Sequence, residues 1–415
     1  MSTSDDPPPE AVDEAVDERE RRDEDPGWLA RFRTEIVDGQ TLLLTFLALV
    51  TALAIGAVLI ILSEEATRET LTYFFARPGD FFAAAWETVG GAYGALFRGA
   101  LGGPRAWSET LVSATPLILT GLAFALPFRA LIINIGGEGQ FLGGALLGGL
   151  VGFGVTGLPM VIHLPLTLLA GFLGGAIVGW VAGILKARTG AHEVITTIML
   201  NNIMILLTDY LLLTALFQRP DRPDPISKAV AGSATLPLLF GAGFRVHWGF
   251  VLAVLVAIAT WWMLERSTLG FEIKAVGHNP RAARFAGMNP DRIYWLVLAI
   301  AGGLAALGGI VQLSGVQGRI TPGFAAGLGF DGITVALLGR SSPLGVIAAA
   351  LLFGGLRAGG LAMQADTQIS LDLVTVLQAL IVIFIAAPAL IRSLWHVKTR
   401  KESGLEATAS GGWSA

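Results

Sequence analysis

Residues 134–149 read Asn-Ile-Gly-Gly-Glu-Gly-Gln-Phe-Leu-Gly-Gly-Ala-Leu-Leu-Gly-Gly, with Leu-Ile-Ile immediately before them. Glu138 is the only formally charged residue between Arg129 and Lys186. A carboxylate set in such an apolar stretch must face protein or water, because lipid solvates it poorly. Asn134 and Gln140 flank it, and Gly136, Gly137 and Gly139 loosen the backbone around it. Polar side chains among glycines predict a membrane span that breaks near Glu138, as at the sites of many transporters.

The rest of the chain agrees with a membrane setting. Of its 415 residues, 53% are hydrophobic and 14% charged, against about 25% charged in soluble domains. Mean hydropathy is +0.66. The absence of cysteine excludes disulfides and thiolate chemistry. The five histidines show no metal-ligand spacing. Residues 1–26 hold eleven acids and three arginines, which predicts a disordered, solvated tail. This tail lacks the basic start of a signal peptide and is expected to stay in the mature protein.

About 20 apolar residues cross a bilayer. On that scale, spans are predicted at 41–62, 108–128, 138–155, 160–185, 194–217, 248–264, 293–314, 327–339, 343–360 and 371–391. The fold class is therefore all-α and polytopic, with about ten transmembrane helices. The aromatic segment 63–107 suits a membrane interface, and part of it is expected to lie flat there. With both termini cytoplasmic, 18 Lys and Arg fall inside and 10 outside, the bias that inside loops carry. Three divisions follow: a tail at 1–26, a transmembrane domain at 27–392 with an internal loop at 265–292, and a tail at 393–415.

Two patterns recur. Gly144, Gly148 and Gly152, then Gly171, Gly175, Gly179 and Gly183, lie at spacings that let helices pack closely. Around Glu138 the chain reads Gly-Gly-Glu-Gly and then Ala145-Leu-Leu-Gly. At 329 it reads Gly-Phe-Asp331-Gly and then Ala336-Leu-Leu-Gly. These are the third and eighth of ten spans and so run in opposite directions. The echo predicts a five-plus-five inverted repeat in which Glu138 and Asp331 are a pair in opposed broken spans.

In the loop at 265–292, Asn279-Pro280-Arg281-Ala282-Ala283-Arg284-Phe285-Ala286-Gly287 spells a short helix. Asn279 suits the N-cap, Pro280 the first turn and Gly287 the C-terminal stop. It reads either as a plain connector or as a docking knob.

NIGGEGQFLGGALLGG (134–149), HEVITTIMLNNI (192–203), AVGHNPRAARFAGMN (275–289) and GFDGITVALLGRSSPLG (329–345), in that order, resemble the membrane permeases of bacterial ABC importers. Among these they are similar to the nucleoside branch, beside the simple-sugar and branched-chain amino-acid permeases. The resemblance implies a bacterial plasma-membrane protein of about ten helices. It also implies three partners: a second, related permease, a cytoplasmic ABC ATPase and an extracytoplasmic substrate-binding lipoprotein. Residues 279–287 match the segment that such permeases seat in the ATPase.

The chain itself has no Gly-Lys-Ser/Thr to cradle phosphates and no hydrolase motif. It is expected to be a non-enzymatic transport subunit with no cofactor, no metal and no nucleic-acid partner, ATP being used by the separate ATPase. The candidate pathway residues are Asn134, Glu138, Gln140, Asn201, Asn202, Phe330, Asp331 and Thr334, as hydrogen-bonding groups and a ring for a nucleoside. For Glu138 the competing role is to cap a broken helix, and for Asn201 and Asn202 it is helix–helix hydrogen bonding. A simple sugar or other small polar solute is the alternative cargo, and a secondary transporter the alternative class.

Overall fold

The computed structural model describes residues 39–396. The acidic tail 1–26 and the C-terminal segment from 397 lie outside the described residues. The chain divides into two compact units, Thr51–Ala387 and a smaller one of Met1–Val50 with Pro388–Ala415. In the smaller unit the start of α1 (Gly39–Ser63) and α15 (Pro388–Leu394) are helical.

The larger unit is helical throughout its ordered elements. After α1 come α2 (Glu65–Leu71), α3 (Pro78–Leu101), α4 (Pro104–Phe128), α5 (Gly137–Gly154), α6 (Met160–Thr189) and α7 (Glu193–Leu212). An irregular loop at 213–247 leads to α8 (Trp248–Arg266), α9 (Thr268–His278), α10 (Pro280–Phe285) and α11 (Pro290–Gln312). The unit closes with α12 (Leu328–Leu338), α13 (Pro343–Thr367) and α14 (Leu371–Ala386). Seven of the described helices are long and apolar enough to cross a membrane. With the shorter α5, α12 and α14 they account for the ten expected spans, so the chain is a multi-pass membrane protein. The span expected at 371–391 stops at Ala386, where Pro388 cannot continue the helical hydrogen bonds.

Most of the segment 63–107 is helical, in α2 and α3. α3 buries Ala92, Ala95, Leu96 and Ala100 against α13, while Phe74, Phe75, Phe81 and Phe82 form an edge-to-face cluster at the α2–α3 corner. A Cβ on Gly99 would lie 2.3 Å from that of Ala362, so only glycine permits this approach.

The core pairing is reciprocal. α11 packs along α6 and α5, while α4 packs along α13 and α12. Exchanging α4–α5–α6 with α11–α12–α13 reproduces the same set of helix pairings. The glycine stripe of α6 makes its half possible: a Cβ at Gly179 would fall 2.0 Å from the Leu298 carbonyl oxygen. These glycines are helix-packing positions.

Candidate functional site

The helical path is broken between α4 and α5. α4 ends at Phe128, and Leu131 takes a left-handed φ of 53°. The chain then runs without helix to Gly136, and its exposed backbone groups need partners. Asn134 supplies several. Its Nδ2 donates to the Ala123 carbonyl at 3.0 Å and to Gln140 Oε1 at 2.9 Å. Its Oδ1 accepts from Gly136 N–H at 3.1 Å and from Gln140 Nε2 at 3.0 Å. From α7, Asn201 Nδ2 donates to the Ile135 carbonyl at 2.8 Å, and its Oδ1 accepts from Gly139 N–H at 2.8 Å. All three amides are buried, with their hydrogen bonds made to protein. Asn202, one position on, is exposed and donates to the Ile198 carbonyl of its own helix.

Glu138 sits in the first turn of α5 and is 6% exposed. Its two carboxylate oxygens accept from the backbone N–H of Gly327 and Gly329, each at 2.9 Å. Those amides open α12. Two helix N-termini, each carrying a partial positive charge, thus meet around one carboxylate. The approach is set by glycine: a Cβ on Gly137 would lie 2.8 Å from the Gly329 carbonyl oxygen. Gly327 stands at φ 80°, the left-handed conformation that aims its N–H back at Glu138.

Asp331, the echo of Glu138, does different work. Its carboxylate pairs with Arg357 of α13 at 3.4 Å instead of capping α5. The side chains of Asp331 and Arg357 are 37% and 33% exposed, and the neighbouring Phe330 is 44% exposed. Thr334 lies on the same open side of α12 and donates to the Asp331 carbonyl at 2.6 Å. Glu138, Asn134, Gln140 and Asn201 therefore gather at the buried junction, and Phe330, Asp331 and Thr334 on an open face. Arg357 is absent from the sequence-based candidates, which place it among outer-end charges. Its signal was available: a lone arginine in an apolar run is as anomalous as Glu138.

At the end of α8 remote from loop 213–247, residues 279–287 fold as their caps dictate. Asn279 Oδ1 accepts from Arg281 and Ala282 N–H, Pro280 begins α10, and Gly287 turns out at φ 87°. Arg281, Ala282, Arg284, Ala286 and Gly287 are exposed, and Phe285 is 95% exposed. Ala283 faces inward and is buried. α9 connects this knob to the break, since Gly277 packs on Arg129 and Ala130 too closely for any Cβ. Arg129 Nε in turn donates to the Ser341 carbonyl just past α12.

On the far side, loop 213–247 is tied down. Ser227 N–H donates to the Ile320 carbonyl and Val230 N–H to that of Gly318. The Arg219 side chain hydrogen-bonds Asp224 and holds its carboxyl below the ordinary carboxylate range. No group of three or more His, Cys, Asp or Glu suited to a metal occurs among the described residues.

Residues 107–386 match the family described as branched-chain amino acid transport system / permease component. A guanosine ABC transporter permease protein of Bacillus subtilis is 37% identical over 74% of this chain and 88% of its own length. A nucleoside ABC transporter permease protein of Lactococcus lactis is 35% identical over 78% and 90%. A glucose ABC transporter permease protein of Haloferax volcanii is 38% identical over 71% and 79%. No solved structure matches the chain.

Proposed function

This chain belongs to the branched-chain amino acid transport system / permease component family, and on that premise we propose that it is the nucleoside-conducting permease subunit of an ATP-driven importer. The observation that carries the reading is the junction of two half-helices at Glu138, beside an open polar face on α12. Half-helices meeting inside a bilayer give a pathway backbone groups and side chains at a depth where a continuous helix offers neither. The similarity to guanosine and nucleoside permeases supports the cargo.

The work is divided among partners. A cytoplasmic ABC ATPase receives α10, a second related permease completes the pathway, and an extracytoplasmic substrate-binding lipoprotein delivers cargo to the far side. Both termini lie in the cytoplasm, with 265–292 as the coupling loop of a permease domain at 27–392. ATP is used by the ATPase, and this chain needs no cofactor of its own. Motion of α10 reaches the break through Gly277 on Ala130, and from there the Glu138 junction. Asn134, Gln140 and Asn201 keep the break in one shape while α12 presents Phe330, Asp331 and Thr334 to cargo.

Phe285 is the exposed anchor of the knob, and buried aromatic anchors dominate interfaces, at about 2 kcal/mol or more each. Phe285→Asp is expected to leave the permease folded and inserted while co-purification of the ATPase falls by about tenfold or more. Undiminished co-purification and uptake would remove α10 from the coupling site. Ala283→Glu, by contrast, is expected to disturb folding itself, because Ala283 is packed inside.

The function is tested with the complete complex in proteoliposomes, offering labelled guanosine and labelled glucose to separate samples. ATP-dependent accumulation of guanosine and not glucose is expected. Accumulation of glucose alone would reassign the cargo, and ATP-independent uptake would reject the importer.

A further inference from the structure

Arg357 lies well inside α13, between the buried Leu356 and Ala358. An arginine in a transmembrane helix is costly toward lipid and settles toward protein or water. Here it meets Asp331 at 3.4 Å, and about a third of each side chain remains open. Glu138 is the contrast. It is closed over and makes two backbone hydrogen bonds at a helix end. The Asp331–Arg357 pair ties no helix end and leaves donors and acceptors free on the open face.

That free chemistry has a shape. A guanidinium presents a planar fork of donors that matches the paired O6 and N7 acceptors of a 6-oxopurine such as guanine. A carboxylate accepts from two neighbouring hydroxyls, as a ribose diol offers. Phe330, on the same side of α12, supplies a face on which a base stacks. The pair as a whole carries no net charge, as suits a neutral solute passing through.

We propose that Arg357 is a specificity-determining residue of the pathway, acting with Asp331 as a net-neutral contact pair for the base edge and ribose hydroxyls of a purine nucleoside. This rests on the nucleoside reading above. Arg357 has two jobs: it contacts cargo, and it keeps Asp331 from standing as an uncompensated charge. Removing it alone is therefore worse than removing both. The charge effect is moderated by water, since both groups are partly exposed.

The test uses the assembled complex with Arg357→Gln, Asp331→Asn and the double variant, each checked for co-purification of the second permease. Guanosine uptake is expected to fall about tenfold in Arg357→Gln, the equivalent of about 1.4 kcal/mol. The double variant is expected to regain most of that rate, and to lose the wild-type preference for guanosine over its 2′,3′-dideoxy analogue. Wild-type rates in Arg357→Gln, or a double variant as poor as the single, would overturn the proposal. So would loss of the second permease from the single-variant complex, which would place the pair in the subunit interface. If wild-type complex imports glucose and not guanosine, the nucleoside reading fails and the proposal with it. If wild type imports guanosine and the variants match it, only the proposal fails.

Discussion

Glu138→Ala is expected to lower the stability of the permease by about 3–6 kcal/mol. Two backbone N–H groups at the head of α12 would each lose a charged acceptor worth about 1.5–3 kcal/mol. No water replaces it readily, because the carboxylate is closed over. The helix ends add to the loss, since two positive termini would face each other without the charge between them. Glu138→Gln is expected to fall between alanine and wild type. Its amide keeps one acceptor oxygen and turns an NH2 toward the other donor. Heating the detergent-purified protein in steps and measuring the monodisperse fraction reads the order directly. An unchanged melting curve, with only uptake reduced, would make Glu138 a cargo contact and not a brace.

Gly329→Ala is expected to abolish folded protein. The added Cβ would stand 2.2 Å from the Glu138 nitrogen and 2.4 Å from both Glu138 Cα and the Gly137 carbonyl carbon. All three are backbone atoms at the start of α5, so no side chain can swing aside. α12 must back away, and a retreat of about 1 Å takes its amides beyond hydrogen-bond range of Glu138. Overpacking alone costs about 1–3 kcal/mol, and the broken charged bonds come on top. Gly154→Ala is the matched control: nothing lies within 4 Å of its Cβ position. It is expected to express and melt like wild type, so the contrast measures the junction and not glycine loss in general.

Much of the architecture was legible in residues 134–149 and 329–345. Apolar length located the spans, and the paired Gly-x-acid-Gly motifs located both breaks, because lipid penalises a polar residue wherever it is not met by protein. Asn279, Pro280 and Gly287 fixed α10, since capping is local chemistry. The partners of Glu138 were not legible. They are backbone amides almost two hundred residues away, and a backbone donor leaves no mark in the sequence. For the same reason the echo suggested that Glu138 and Asp331 play matching parts. The local motifs do match, yet Arg357 occupies only one of the two halves and draws Asp331 to the open face. The inward turn of Ala283 was hidden too, because a six-residue helix has too few positions for a periodicity to show which face is covered.

The polar residues divide into a closed brace around Glu138 and an open face on α12, and the open face is the proposed pathway. The chain contains no cysteine, so single cysteines along α12 report on water without background. The decisive measurement is the reaction rate of a water-soluble thiol reagent with Phe330→Cys, Asp331→Cys, Thr334→Cys, Val335→Cys and Ala336→Cys in the assembled complex, with and without guanosine. Cysteines at 330, 331 and 334 are expected to react and to be slowed by guanosine, while those at 335 and 336 stay inert. Inert cysteines at 330, 331 and 334 would mean that lipid or another subunit covers this face, and would contradict the pathway.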